Sequence, residues 1–130
     1  MQRPRLILLA LAAAAGLSAA GAEAADNVAK IGNLSASPRH FCAKRTSRCT
    51  NPGFTVHFTI STRAKVYADI RPRKSNLASY IEFARRFPAG ANSARIDDSR
   101  LTRGRWTLKL TPVNSVGASS PEHIDVYVKK

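Results

Sequence analysis

Apolar and polar positions alternate in several separate stretches of the chain, and the longest matched pair lies between Leu101 and Val128. Trp106, Leu108 and Leu110 alternate with Arg105, Thr107, Lys109 and Thr111, the period-two signature of a half-buried strand. A turn-rich loop follows from Asn114 to Pro121, with Gly117 and three serines. Ile124, Val126 and Val128 then alternate with Asp125, Tyr127 and Lys129. Two such stretches joined by a polar loop predict an antiparallel hairpin with one apolar face. That face needs a second sheet to cover it.

Upstream, Phe54 to Ser61 is the clearest strand: Phe54, Val56, Phe58 and Ile60 point one way, Thr55, His57, Thr59 and Ser61 the other. The short link Thr62-Arg63-Ala64 leads into Val66, Ala68 and Ile70, which alternate with Lys65, Tyr67, Asp69 and Arg71. Its shortness predicts a second hairpin. Val28, Ile31 and Leu34 mark a weak first strand that ends by Pro38. Pro72 to Asn76 breaks the pattern. In segment 77–87, Leu77, Tyr80, Ile81 and Ala84 fit a helical face with Asn76 as N-cap, whereas Ile81 and Phe83 fit a strand. The surrounding strands favour the strand. Asn92 to Asp97 predicts a short strand with Ala94 and Ile96 inward, and Leu101 sits under the next turn. Six or seven short strands at regular spacing predict an all-β sandwich. With no repeat or linker, residues 25–130 form one domain.

The first residues stand apart from this pattern. Arg3 and Arg5 precede an apolar run, Leu6 to Ala15, of about ten residues, which matches a signal-peptide core and is too short to span a bilayer. Ala22-Glu23-Ala24 supplies a cleavage motif, so residues 1–24 read as a signal peptide cut after Ala24, with Ala22 as the alternative. A retained membrane helix is the competing reading, and the short core counts against it. No cysteine at the cut and no apolar tail predict a protein without a stable membrane anchor, secreted or held at the cell envelope. Losing two arginines and one glutamate lowers the formal charge from +13 to +12. Such a balance favours anionic polymers as partners, with salt-sensitive binding.

Two cysteines remain, Cys42 and Cys49. Export favours a disulfide between them. A metal site would need more ligands than His40 adds, since His57 and His123 lie on other segments. No metal and no cofactor is expected. Nucleophile elbow, P-loop, H-E-x-x-H and C-x-x-C motifs are all absent from the sequence. Asp97 and Asp98, adjacent on a strand, would point to opposite faces, so a turn role is favoured over catalysis or calcium binding. His57 reads as a solvated outward residue and Trp106 as core. An enzyme is not expected, and export without a nucleic-acid motif argues against nucleic acid as a partner.

Leu101-Thr102-Arg103-Gly104-Arg105-Trp106-Thr107-Leu108 resembles the E–F turn and F strand of bacterial immunoglobulin-like and fibronectin type III-like domains, which commonly read L-x-P-G-x-Y-x-L. Val113 to Pro121 is similar to a fibronectin type III F–G loop, and Phe54 to Arg71 to the B and C strands of exported bacterial immunoglobulin-like modules. Arg103 stands where proline is usual, and Trp106 where tyrosine is usual. In the family that tyrosine's hydroxyl ties the corner to nearby backbone. The early tryptophan of a fibronectin type III domain is absent, with Phe58 in the comparable inward position. The cysteine loop is an addition, unlike the long-range intersheet disulfide of antibody domains.

The resemblance implies that strands C, F and G are neighbours in one sheet. Their outward residues would be Lys65, Tyr67 and Arg71, then Arg105 and Lys109, then Tyr127 and Lys129. That makes a basic face with two tyrosines, able to pair with phosphate, sulfate or carboxylate and to pack on sugars. The competing reading is a solvated face whose charges prevent edge pairing. Arg39, Lys44, Arg45 and Arg48 form a second basic cluster, on the loop from Arg39 to Pro52, which the disulfide would stiffen into a projecting lobe. Two functions follow as expectations. The first is a structural or adhesive module held to anionic cell-envelope polymer or surface polysaccharide. The alternative is a carbohydrate- or protein-recognition module, with another exported protein as its partner in the latter case, working through the F–G loop, the disulfide loop and residues such as Asn114 and Tyr127.

Overall fold

Alternation decides which side of each strand is buried, and β3 (Phe54–Ile60) shows it most plainly. Phe54, Val56, Phe58 and Ile60 are all buried, while Thr55, His57 and Thr59 face away. In the computed structural model, which describes residues 27–73 and 76–129, the other strands are β1 (Ile31–Ser37), β2 (His40–Cys42), β4 (Ala64–Pro72), β5 (Tyr80–Phe87), β6 (Gly90–Ile96), β7 (Gly104–Asn114), β8 (Gly117–Ala118) and β9 (Glu122–Lys129). The proposed signal peptide, residues 1–24, lies outside the described residues.

The strands form two sheets, and no helix occurs among the described residues. The smaller sheet has the order β1-β3-β6. The larger runs β2-β9-β7-β4-β5, with the short β8 folded back on β7. All pairings are antiparallel except β2 with β9. Inward side chains of both sheets join in one apolar cluster. Phe41 of β2 meets Phe54 of β3 at 4.7 Å between ring centroids, and Phe58 of β3 meets Phe87 of β5 edge-on at 5.1 Å. Each pair bridges the two sheets. At about 1.5–3 kcal/mol for each large apolar side chain removed from water, this shared layer is the main favourable term in folding. The arrangement is consistent with a β-sandwich.

Several sequence expectations are met. The strand reading of segment 77–87 holds as β5. Ala94 and Ile96 point inward from β6, and Leu101 is buried beneath the turn that follows. The hairpin of β7 and β9 pairs Gly104 with Val128 through Leu110 with Glu122. Cys42 and Cys49 form a disulfide, with Cα atoms 6.3 Å apart.

Others need correction. β3 and β4 are not a hairpin: they belong to different sheets. The link 61–63 carries the chain across, because Phe54, Val56, Phe58 and Ile60 and then Ala64, Val66, Ala68 and Ile70 bury their apolar sides against each other rather than side by side. The true neighbours of β4 are β5 and β7. Among the described residues the strand count is nine rather than six or seven, the additions being β2 and β8. The loop from Arg39 to Pro52 is not wholly a projecting lobe, since His40–Cys42 joins the large sheet beside Tyr127–Lys129. Phe41 is the anchor: it is the one large apolar residue in that segment and is fully buried.

The loop's far end is pinned by Gly53. Its φ of 89° suits glycine, and a Cβ there would collide with the carbonyl oxygen of Ile96. At the start of β7, the Trp106 indole N–H donates to the Thr102 carbonyl at 2.8 Å. Tryptophan thus ties this corner to backbone four residues upstream, as the tyrosine hydroxyl does in the resembled domains.

Candidate functional site

The outer face of the large sheet carries the seven residues singled out in the sequence. β4 presents Lys65, Tyr67 and Arg71 on the side opposite Val66, Ala68 and Ile70. β7 presents Arg105 and Lys109, and β9 presents Tyr127 and Lys129. The register sets Arg105 opposite Tyr127 and brings Lys109 between Asp69 of β4 and His123 of β9. The seven residues thus share one face across three adjacent strands.

The face is less uniformly basic than its sequence reading. Two carboxylates lie within it. Arg71 pairs with Asp69 at 3.7 Å, and Arg105 with Asp125 at 3.9 Å. Asp125 also accepts a hydrogen bond from the Thr107 hydroxyl at 2.8 Å. These acids were visible as alternating partners of the same strands, yet only the register shows how near they stand to the arginines. Lys65, Lys109 and Lys129 form no ion pair among the described residues. Lys65 rests its ammonium 5.1 Å from the centre of the Tyr67 ring. Tyr67, Ile81, Lys109 and Thr111 border a shallow cleft of about 320 Å³ in the middle of the face, where Ile81 is 73% exposed. Tyr127 is stacked on His40, ring centroids 4.7 Å apart.

The second basic cluster does not act as a unit. Arg39 lies before the disulfide loop, and its guanidinium donates twice to the Asp125 carbonyl oxygen. Arg45 donates to the Thr50 carbonyl at 2.6 Å, closing the loop on itself. Both guanidiniums are spent on backbone oxygens. Lys44 and Arg48 remain exposed, and Lys44 lines a cleft of about 360 Å³ between the disulfide loop and residues 99–103. Asn114, weighed above as a recognition residue, is also committed internally. Its amide donates to the Asn27 carbonyl at 2.8 Å, and its oxygen accepts from the N–H groups of Val116 and Gly117.

One polar constellation escaped the sequence reading. Asp98 is buried in the turn before β7 and is gripped by Arg100 through both carboxylate oxygens, at 2.9 and 2.8 Å. It also accepts the Arg100 backbone N–H at 2.9 Å, so the turn role predicted for the acid pair is what Asp98 performs. Glu82 of β5 faces it. Burial, then the hydrogen bond to Asp98 and that residue's charge, push the Glu82 carboxyl up to about 8. The Arg100 hydrogen bonds hold Asp98 down to about 2. The pair therefore shares one proton at neutral pH, carried by Glu82. Arg100 also lies 4.0 Å from the centre of the Tyr80 ring, which stacks on Trp106. Glu82 sits at a register shift between β4 and β5, and no sequence period announces a bulge. Neither carboxyl lines the clefts described above, so the pair serves the fold.

Comparison with family models, with curated proteins and with solved structures finds no match to this chain.

Proposed function

We propose that this chain is an exported, non-enzymatic immunoglobulin-like β-sandwich of fibronectin type III-like form. It holds to anionic polymer at the cell envelope, such as a surface polysaccharide, through basic residues on the outer face of its large sheet. Strand order supports the family reading. β4, β7 and β9 are neighbours as strands C, F and G are in that fold, and β1, β3 and β6 are neighbours as A, B and E are. The signal-like start supports export.

The observation that carries the binding reading is the distribution of charge. Lys65, Lys109 and Lys129 form no ion pair among the described residues, although Asp69 is the cross-strand neighbour of Lys109, and they share one face with Tyr67 and Tyr127. A flat array of this kind suits a repeating anionic chain, because each contact is weak and many act together. The test is retention on an immobilised acidic polysaccharide from low to high salt. Charge-held binding falls steeply as screening shortens the reach of each lysine. Retention that stays level across the salt range removes the proposal.

A further inference from the structure

At one corner of the large sheet, the start of β4, the end of β5 and the end of β7 come together, and the β3–β4 link closes over them. A cleft of about 530 Å³ lies there, with Thr62, Arg63, Lys65, Arg86, Asn114 and Ser115 among its walls. Three of its residues are cations and none is an acid. Lys65 and Arg86 are direct cross-strand partners in the β4–β5 ladder. Like charges directly opposite destabilise a sheet, so this corner carries a cost that packing does not require.

Elsewhere on the large sheet the arginines find compensation. Arg71 and Arg105 meet carboxylates, and Arg85 lies over the rings of Phe83 and Phe87 at 5.1 and 5.2 Å. Arg63 and Arg86 form no ion pair among the described residues. The geometry points to a binding site for a phosphate or sulfate ester at this corner, seated between the Arg63 and Arg86 guanidiniums and Lys65. A guanidinium offers two parallel N–H donors to such a group, and the Thr62 and Ser115 hydroxyls add neutral donors. Three cations match the three terminal oxygens of a phosphate or sulfate ester better than the two of a carboxylate. The volume falls within the roughly 300–1,000 Å³ typical of ligand pockets, which leaves room for the residue that bears the ester. The site deepens the polymer-binding reading and rests on it for the identity of the carrier.

The test is a titration of the protein with inorganic phosphate, with ionic strength held constant by chloride, followed by backbone amide NMR. The expected result is a saturable shift confined to residues around Arg63, Lys65, Arg86 and Ser115. Arg63→Gln and Arg86→Gln each weaken the binding by about tenfold, the loss of one charge-assisted pair. Arg48→Gln, on the disulfide loop, leaves it unchanged. Sulfate in place of phosphate should give the same map, and glucuronate a weaker one. Folding is controlled by the melting temperature: Arg86→Gln relieves the repulsion with Lys65 and melts no lower than the parent at low salt.

Shifts that grow linearly without saturating, or that persist unchanged in both variants, overturn the site. Failure here with salt-sensitive retention on the polysaccharide column intact removes the corner site alone. A saturable corner without such retention removes the polymer reading and keeps the site.

Discussion

The two outer faces of the molecule are built by the same rule and end up chemically opposite. On the small sheet, the outward positions are Ser35 and Ser37 of β1, Thr55, His57 and Thr59 of β3, and Ala91, Ser93 and Arg95 of β6. Arg95 is its lone formal charge among these, and its guanidinium is tethered to the Asn51 side chain, the Pro52 carbonyl and the Thr55 hydroxyl. On the large sheet, lysines, arginines, aspartates and tyrosines fill the same kind of position. A solvated strand face tolerates either set, so folding does not ask for the charges. What differs between the faces is what each can attract, and the inward residues are indifferent to that difference.

The most damaging way to probe the shared interior is Trp106→Ala. Trp106 is 2% exposed, stacks on Tyr80 and ties the corner to Thr102. Its removal is expected to cost about 3–5 kcal/mol in urea unfolding. Both faces should lose order together, visible as a single transition by circular dichroism and by amide exchange. A small-sheet transition left in place would mean that the two sheets do not rely on one core. Trp106→Phe separates the terms: it keeps an aromatic ring but leaves the Thr102 carbonyl without its donor, and about 1 kcal/mol is expected.

Replacing Cys42 and Cys49 by serine comes next. The closed loop is short, so chain entropy assigns the disulfide about 2.5 kcal/mol. The loss should be local to the charged side of the molecule, because Cys42 belongs to β2, the strand laid against β9. Amide protection at Tyr127–Lys129 should fall before protection in β3. Equal losses in both sheets would show the disulfide acting on the whole domain.

Those two probes touch parts of the molecule that were unequally legible in its sequence. The inward sets of β3, β4, β7 and β9 follow from strict alternation, as does the placing of the seven outward residues on one face. Period two says nothing about which sheet a strand joins, and the β3–β4 link shows the consequence: a three-residue connection suits a crossing as well as a hairpin. β2 has a single buried anchor, Phe41, too short a stretch to display any period. The Glu82–Asp98–Arg100 cluster joins residues of separate elements through a bulge, and side-chain chemistry alone does not reveal such a meeting. The aspartates on the basic face were in view, but ion pairing depends on register.

A charge swap sharpens the comparison between faces. Lys109→Glu changes the net charge by two on the large sheet, and the double change Thr59→Glu with Ser93→Glu does the same on the small sheet. If location matters, retention on acidic polysaccharide at low salt should fall about tenfold for the first and far less for the second, a difference of about 1.4 kcal/mol. Equal losses would reduce the binding to net charge, with no preferred face.

The smallest effect is expected at the seam between the faces, and it appears as a slope rather than a level. Glu82 is raised to about 8 in the fold from an ordinary value of 4.5, so its contribution is fully present below about pH 4.5 and is lost as pH rises through 8. Asp98 has the opposite sign: held down to about 2, it contributes above its ordinary value of 3.8 and loses that contribution as pH falls toward 2. The parent should therefore melt progressively lower between pH 5 and pH 9. Glu82→Gln retains the shape and cannot ionise, so its melting temperature should decline less over that range. Glu82 is only partly buried and water screens its charge, which keeps the effect modest at pH 7 and largest at pH 9. Parallel melting curves for parent and variant would mean that Glu82 already carries its charge in the folded protein, with Arg100 rather than a proton holding the two carboxylates together.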